Sequence, residues 1–332
     1  MNQQFNNIAI LTVRQKLSPA FEDAPIKPPT FAGKDNEPTY VIYDNKGRRD
    51  CIIDTQPSQA NRIEPVFDGS GLIPDSVVRV GDKTVPLTAL GHRIADAALR
   101  FSDGAEDVAA ALDAAFSGDN VPLAKLAPTS LLFGAWDSRG NVKVKLTRVV
   151  RAEIRATDVS EPIAVLGQYR SSVDRPIEGD NKELSAEGLL DCPTSGHGGV
   201  ICNGEITRTV QVNVRAIRKM GDTVQDYILG LALVALLAPA DLDLREGCNL
   251  VIESTKVEAV KEDGTRTPFM MTYEQAVEFA KKAAAKFGVG AAREFVYDEA
   301  NIAAKIASRT EGKSKKADKA KSKKAAAERQ GI

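Results

Sequence analysis

The stretch NVKVKLTRVVRAEIR, residues 141–155, decides the fold, because its apolar and charged residues alternate with a period of two. Apolar side chains occupy the even positions from Val142 to Ile154 except Arg148, and most odd positions from Lys143 to Arg155 are cationic. Alternation over this length predicts one β-strand, or two strands separated by a bulge near Arg148. One face of the strand is expected to be buried and the other basic.

The charge of this stretch is opposite to that of the rest of the folded chain. The 332 residues carry a net charge of −1, which divides into +6 over residues 312–332 and −7 over the remainder. Residues 139–155 nevertheless hold six cations and one anion. A regular row of positive charge suits contact with nucleic-acid phosphates better than it suits simple solvation. Aromatic residues number 18, with one Trp, so we expect contact with backbone and shape rather than a base-stacking platform.

Several classes of protein are not expected. The longest apolar run, residues 228–239, is shorter than the roughly 20 residues of a membrane-spanning helix, so no membrane partner is predicted. The first residues lack the basic region of a signal peptide, and four cysteines do not form a disulfide framework in a chain of this length. A cytoplasmic location is therefore expected.

The order of predicted elements indicates an α+β fold. A strand at residues 8–14, a short helix that Ser58 could cap, and the basic strand come first. A long excursion at residues 158–205 follows, then a strand at 206–218, a buried helix at 224–238 and a strand at 249–260. This β-α-β-β-α-β order is that of a ferredoxin-like or RNA-recognition-motif-like core with insertions.

Helical spacing appears in four further segments. They are residues 88–100, residues 105–116, the segment that Thr272 opens with a capping box and Gly288 ends, and residues 294–309.

Motifs for catalysis are incomplete. Gly312-Lys313-Ser314 ends like a phosphate-binding loop, but Ala307 stands where that loop needs glycine. Residues 196–199, GHGG, resemble part of an esterase oxyanion loop, yet the chain has no Gly-x-Ser-x-Gly nucleophile motif. Hydrolase chemistry is therefore not expected, and no cofactor is predicted.

A zinc site is left open. Three potential zinc ligands, Cys192, His197 and Cys202, stand in a Cys-x4-His-x4-Cys stretch. Zinc normally binds a fourth ligand, which would have to be Cys51 or Cys248, brought close by the fold. The alternative is a glycine-rich loop with reduced cysteines, and we predict no metal site.

Five blocks of sequence carry a family likeness. They are residues 28–32 (PPTFA), 58–64 (SQANRIE), 91–97 (GHRIADA), 123–140 (LAKLAPTSLLFGAWDSRG) and 148–156 (RVVRAEIRA). The chain resembles the backbone subunit of type I-U (also called I-G) CRISPR surveillance complexes, or Cascade, within the RAMP superfamily. The likeness is specific over residues 8–217 and looser to about residue 290.

The resemblance implies a hand-like fold. Residues 1–262 would form an RNA-recognition-motif-like palm with helical fingers inserted at about 15–135 and a long β-hairpin thumb at about 158–205. Residues 263–311 would be C-terminal helices, and residues 312–332 a basic, disordered tail.

The family also implies partners and a role. Such subunits line up head to tail along CRISPR guide RNA, present it for pairing with target DNA, and join other Cascade subunits, to which a helicase-nuclease is recruited for cleavage. They bind RNA and do not cut, so no enzyme activity is expected. The alternative is a metal-dependent ribonuclease that acts on RNA in the same groove through carboxylates such as Asp158 or Asp191.

Polar and basic residues of the family blocks and the basic strand are the expected RNA contacts. They are Gln59, Asn61, Arg62, His92, Arg93, Lys125, Trp136, Arg139, Lys143, Lys145, Arg148, Arg151 and Arg155. Trp136 has a second interpretation, since a single buried Trp could pack in the core instead.

Overall fold

The computed structural model describes residues 5–33, 38–138, 143–169, 181–187, 189, 192–299 and 302. Its strands, in chain order, are β1 (Ile8–Pro19), β2 (Thr30–Ala32), β3 (Pro38–Tyr40), β4 (Ile42–Asn45), β5 (Arg48–Asp54), β6 (Val77–Val80), β7 (Lys83–Pro86), β8 (Ala135–Asp137), β9 (Val144–Leu146), β10 (Val150–Thr157), β11 (Ala164–Tyr169), β12 (Cys192–His197), β13 (Ile206–Asn213), β14 (Leu250–Lys261), β15 (Arg266–Pro268) and β16 (Glu294–Val296). Its helices are α1 (Gln56–Ile63), α2 (Ala97–Arg100), α3 (Ala105–Phe116), α4 (Val121–Leu126), α5 (Thr129–Phe133), α6 (Asn181–Ala186), α7 (Val214–Arg218), α8 (Asp222–Leu237) and α9 (Tyr273–Phe287).

A seven-stranded antiparallel sheet organises the chain, with the strand order β15-β14-β1-β13-β10-β5-β4. Four of these strands form the predicted core. In space they run β14-β1-β13-β10, and along the chain α1 lies between β1 and β10 while α8 lies between β13 and β14. The α+β class and the β-α-β-β-α-β connection order are confirmed. The remaining elements before β10 are an insertion between the first two core strands.

The basic stretch forms two strands, and they belong to different sheets. In β10, Val150, Ala152 and Ile154 are buried and Arg151 and Arg155 are exposed, as the alternation predicted. β9 does not continue that strand through a bulge, because it pairs with β8 in a separate two-stranded sheet. The chain turns between them, where the Val149 N–H donates to the Leu132 carbonyl at 2.8 Å.

The strand predicted over residues 206–218 ends early, at Asn213. The Asn213 side-chain oxygen accepts a hydrogen bond from the Ala216 N–H at 3.1 Å and thereby caps α7. Asparagine is a favoured helix N-cap, because its side-chain oxygen accepts a hydrogen bond from a backbone N–H that has no acceptor within the helix. The prediction of strand beyond Asn213 was therefore wrong.

Three helix predictions also need correction. α1 is capped by Thr55, whose hydroxyl accepts from the Ser58 N–H, and not by Ser58 itself. Residues 88–100 do not form one helix, because Arg93 has a φ of +52° and Asp96 caps a separate one-turn helix, α2. Residues 294–296 form β16, which pairs in parallel with β6, so the helix predicted from Glu294 does not begin there.

Other helices match their predictions. α3 covers residues 105–116, and α8 is buried nearly all round. Thr272 and Gln275 make both hydrogen bonds of the predicted capping box at the start of α9, and Gly288 ends that helix in the left-handed conformation. α8 and α9 pack closely at Gly230, where an added Cβ would lie 2.9 Å from the Ala280 Cα. Of the two helices, α8 packs directly against β1, β10 and β13 of the main sheet.

The excursion at residues 158–205 contains β11 and β12, which pair antiparallel. Its base is closed by hydrogen bonds between Thr157 and the 203–205 turn, including the Thr157 N–H to the Glu205 carbonyl at 2.9 Å. The thumb assignment and the domain bounds 1–262 and 263–311 stay predictions. The tail at 312–332 lies outside the described residues.

Within the part of the chain that the structure describes, no helix has both the length and the apolar character needed to cross a membrane.

Candidate nucleic-acid interface

A cleft of about 530 Å³ opens where β8, β9 and the start of β10 meet the turn at residues 91–93. Six of the predicted RNA contacts line it: His92, Arg93, Trp136, Lys145, Arg148 and Arg151. The other lining residues are Gln56, Gly91, Phe133, Gly134, Ala135, Leu146 and Thr147. Residues from 56 to 151 in the sequence thus meet around one concave surface.

Gly134 shapes the back of the cleft. Its backbone has a φ of +78° and a ψ of 157°, a conformation that residues with a Cβ avoid. A Cβ at this position would lie 2.8 Å from the Leu146 carbonyl oxygen and 3.1 Å from the Arg148 Cγ. The glycine therefore lets the end of α5 approach the turn between β9 and β10, and the Arg148 Nε donates to the Phe133 carbonyl at 3.1 Å across that approach.

Arg93 lies buried beneath the surface of the cleft, where it contacts other residues of the protein. It is 7% exposed, and its Nε donates to Glu64 Oε2 at 2.8 Å while its Nη1 donates to the Gly134 carbonyl at 3.3 Å. Its guanidinium lies 5.3 Å from the centre of the Phe133 ring. Burial raises the pKa of Glu64, and the charge of Arg93 opposes that rise. Arg93 is thus held by the protein and has little surface for a ligand.

The cations that face the cleft differ from Arg93 in having no carboxylate partner among the described residues. Lys145 and Arg151 are exposed, and Arg148 is half-buried. Burial, together with the charges of Arg93 and Arg151, lowers the pKa of Arg148. None of the residues that line the cleft is Asp or Glu. Mutual repulsion without a neighbouring anion is typical of a site that binds an external anion.

Trp136 lies at the rim of the cleft with 67% of its surface exposed. In the β8–β9 pair it stands directly opposite Lys145. The alternative in which this Trp packs in the core is therefore wrong.

Three other predicted contacts are engaged within the protein. Gln59 is fully buried, and its Nε2 donates to Asp54 Oδ2 at 2.7 Å. Arg62 Nη1 donates to Asp241 Oδ2 at 2.9 Å, and Arg155 forms an ion pair with Glu153 at 2.6 Å. Of these, Gln59 offers no surface for direct contact with RNA, because burial excludes it.

The remaining predicted contacts do not line the cleft. Asn61 on α1, Lys125 on α4 and Lys143 beside β9 are exposed. Arg139 lies outside the described residues.

Arg208 is a buried polar residue that sequence reasoning missed. It is 2% exposed, its Nε donates to Gln59 Oε1 at 2.7 Å, and its Nη1 donates to Gln15 Oε1 at 2.9 Å. Burial lowers the pKa of Arg208 to about 10. A signal was present in the sequence, because Arg208 stands between Ile206 and Val210 on the apolar face of β13.

The described residues contain no group of three His, Cys, Asp or Glu side chains arranged to hold a metal ion. Cys51 and Cys248 are buried, and Cys202 Sγ lies 3.3 Å from the Thr157 carbonyl oxygen. The side chains of Cys192 and His197 fall outside the described part, as does Asp191. The zinc site that the sequence left open and the ribonuclease alternative are therefore not tested by the described residues.

Similarity to known proteins indicates which family this chain resembles. The model of a family described as CRISPR-associated protein GSU0053 matches residues 11–161. No curated protein matches the chain in sequence. A chain of a solved structure described as "CRISPR RNA-guided surveillance complex, pre-nicking" is similar over 90% of this chain and 99% of its own length, with 12% sequence identity and a TM-score of 0.37. That TM-score is too low to establish a shared fold.

The matched segment contains most of β1, all of β5 and β10 of the main sheet, and all residues that line the cleft. The predicted likeness to a CRISPR-associated family is confirmed, whereas the I-U/I-G subtype stays a prediction. Over residues 11–161, just under half of its length, this chain is similar to the family of the CRISPR-associated protein GSU0053.

Proposed function

We propose that this protein is a guide-RNA-binding backbone subunit of a CRISPR surveillance complex, and that the cleft beside β9 and β10 holds the RNA. The observation that carries the proposal is the group of unpaired cations at Lys145, Arg148 and Arg151, inside the segment that matches the family. The body of the chain is acidic overall, so this local reversal of charge is not a general property of the surface.

The geometry suits phosphate better than a specific base. Arg148 is anchored through its Nε, and its Nη groups make no hydrogen bond with a described residue. Lys145 and Arg151 approach the same cleft from β9 and β10. Guanidinium and ammonium groups placed in this way neutralise successive phosphates without reading sequence. A subunit that must accept any guide needs that kind of contact.

The proposed assembly follows from the family likeness. Copies would contact each other head to tail, which gives an open filament along the RNA rather than a closed ring. The bound guide would be presented to target DNA, other Cascade subunits would join the filament, and a recruited helicase-nuclease would cut the DNA. The subunit itself would bind without catalysis.

The test is the salt dependence of RNA binding by the full-length chain. Lys145→Ala/Arg151→Ala removes two cations that make no described contact within the protein. The matched control, Arg79→Ala/Arg215→Ala, removes the same charge from residues that are paired with Glu294 and Glu262 and do not line the cleft. Each variant keeps the basic tail, so the contribution of the tail is the same in both.

Binding of a labelled CRISPR guide RNA would be followed by fluorescence anisotropy at several salt concentrations. Loss of two phosphate contacts lowers the slope of log K against log salt by about 1.4, since each contact on a single strand contributes about 0.7. The control variant should keep the wild-type slope. Equal slopes for the cleft variant and the wild type would refute the assignment of RNA to this cleft.

A further inference from the structure

We infer that Trp136 is a stacking platform for one base of the bound RNA, so that the cleft takes a whole nucleotide and not phosphate alone. This inference rests on the proposed function and adds a residue role to it. It also revises the expectation, drawn from the low aromatic content, that bases are not contacted.

Trp136 is exposed although its strand, β8, is held firmly in place by its neighbours. The next residue, Asp137, is buried and accepts a hydrogen bond from Arg100 Nη2 at 2.8 Å. The strand itself pairs with β9 along its length. The indole makes no ring contact or hydrogen bond with another described residue. A large apolar ring that the backbone holds in solvent is typical of a binding surface.

The neighbours of Trp136 identify the class of ligand. Lys145 is its direct cross-strand partner, and residues so placed have Cβ atoms about 4.5–5.5 Å apart. Arg148 and Arg151 line the same cleft. An aromatic face beside a row of cations is the combination that single-stranded nucleic-acid sites use, in which bases stack while the backbone follows the positive charge.

The size and lining of the cleft favour a nucleotide over a protein side chain. A volume of about 530 Å³ falls within the range of ~300–1,000 Å³ for small-molecule sites. An exposed Trp also occurs at protein interfaces, but such interfaces surround it with further apolar surface. None of the other exposed large apolar side chains in the described chain lines this cleft.

Stacking on Trp136 predicts a graded preference among bases. Every base has a π-face, so the platform tolerates any guide, and preferences arise from stacking strength. Purines present the larger face and should bind more tightly than pyrimidines at the nucleotide that occupies the cleft.

Trp136 is the single tryptophan of the chain, so tryptophan fluorescence, excited selectively over the six tyrosines, reports on this site alone. The full-length protein would be titrated with guide RNA while tryptophan fluorescence and the anisotropy of the labelled RNA are both recorded. Stacking should quench the fluorescence, and quenching should saturate together with the anisotropy. A ribose-phosphate oligomer of the same length without bases should bind through the cations and leave the fluorescence unquenched.

Substitution supplies the second readout. Trp136→Ala should weaken guide binding by about 5- to 150-fold and leave the salt slope unchanged, because no phosphate contact is lost. Trp136→Phe should retain most of the affinity, since a smaller ring still stacks. Both variants should fold, because the side chain is 67% exposed.

The outcomes separate the two proposals. Guide binding with unquenched fluorescence, or equal quenching by the baseless oligomer, would overturn the stacking role and leave the proposed function standing. Fluorescence that changes with protein concentration in the absence of RNA would show contact with another copy, which also overturns stacking. Absence of any guide binding would overturn the proposed function and the stacking role together.

Discussion

Replacement of Gly134 by alanine should destabilise the protein through two separate effects. The backbone conformation, with a φ of +78° and a ψ of 157°, costs about 1–3 kcal/mol for a residue with a Cβ. The added methyl group would also lie 2.8 Å from the Leu146 carbonyl oxygen and 3.3 Å from the Arg148 backbone nitrogen. Overpacking of this kind costs about 1–3 kcal/mol. The free energy of unfolding should therefore fall by about 2–6 kcal/mol.

Two other glycines separate these effects. Gly118 has a φ of +98° with no atom within 4 Å of an added Cβ, so Gly118→Ala measures backbone strain alone, about 1–2 kcal/mol. Gly91 lines the same cleft with an ordinary φ and open space, so Gly91→Ala should change stability by less than about 0.5 kcal/mol.

Urea unfolding of the wild type and the three variants would give these free energies, and anisotropy would give guide affinity. Gly134→Ala should also weaken guide binding, because the methyl group displaces the turn that holds Arg148. If Gly134→Ala proved no more destabilising than Gly118→Ala, the close approach of α5 to that turn would not be a constraint, and the account of how the cleft is built would be refuted.

Two further predictions concern buried ionisable groups. Burial raises the pKa of Cys51 to about 12, whereas the thiol of the unfolded chain loses its proton near pH 9. Above pH 9 the free energy of unfolding should therefore fall with pH, by up to about 1.4 kcal/mol per pH unit. Cys51→Ala should flatten that fall when urea unfolding is measured at pH 8–10. Glu64→Gln should cost about 3–5 kcal/mol because it leaves Arg93 buried and unpaired, whereas Glu294→Gln, at the exposed pair with Arg79, should cost under about 1 kcal/mol by the same assay; similar losses at the two pairs would contradict the role given to burial.

Elements whose determinants are local in sequence were predicted well. The alternation of Val150, Ala152 and Ile154 with basic residues needs only neighbouring positions, and so does the capping box of Thr272. The apolar run of α8 likewise marks a buried helix whatever surrounds it.

Elements decided by competition between local signals were predicted poorly. Asn213 continues the strand alternation and also caps a helix, and the cap prevails because α7 packs back against β1. Asp96 stands inside a helical pattern, but its carboxylate accepts from the Ala98 N–H and begins a new helix. Periodicity alone does not rank these alternatives, since tertiary contacts decide between them.

The candidate site shows the same division. The charge of residues 139–155 predicted a basic surface, and Lys145, Arg148 and Arg151 do line one cleft. The sequence did not distinguish them from Arg93, which is buried against Glu64. Whether a charged side chain faces the cleft or pairs with a buried residue depends on residues that are distant in the sequence and are brought together by the fold.

The excursion at residues 158–205 begins and ends on β10 and β13, which are adjacent strands of the main sheet. The hydrogen bond from the Thr157 N–H to the Glu205 carbonyl already joins its two ends. The length of such a segment has little effect on stability, because the entropy of closing a loop grows only with the logarithm of its length, by about 0.6 kcal/mol per doubling. The segment can therefore be lengthened or shortened at little cost while the pairing of β10 with β13 is kept. The extent of this segment can thus change without a change in the sheet from which it projects.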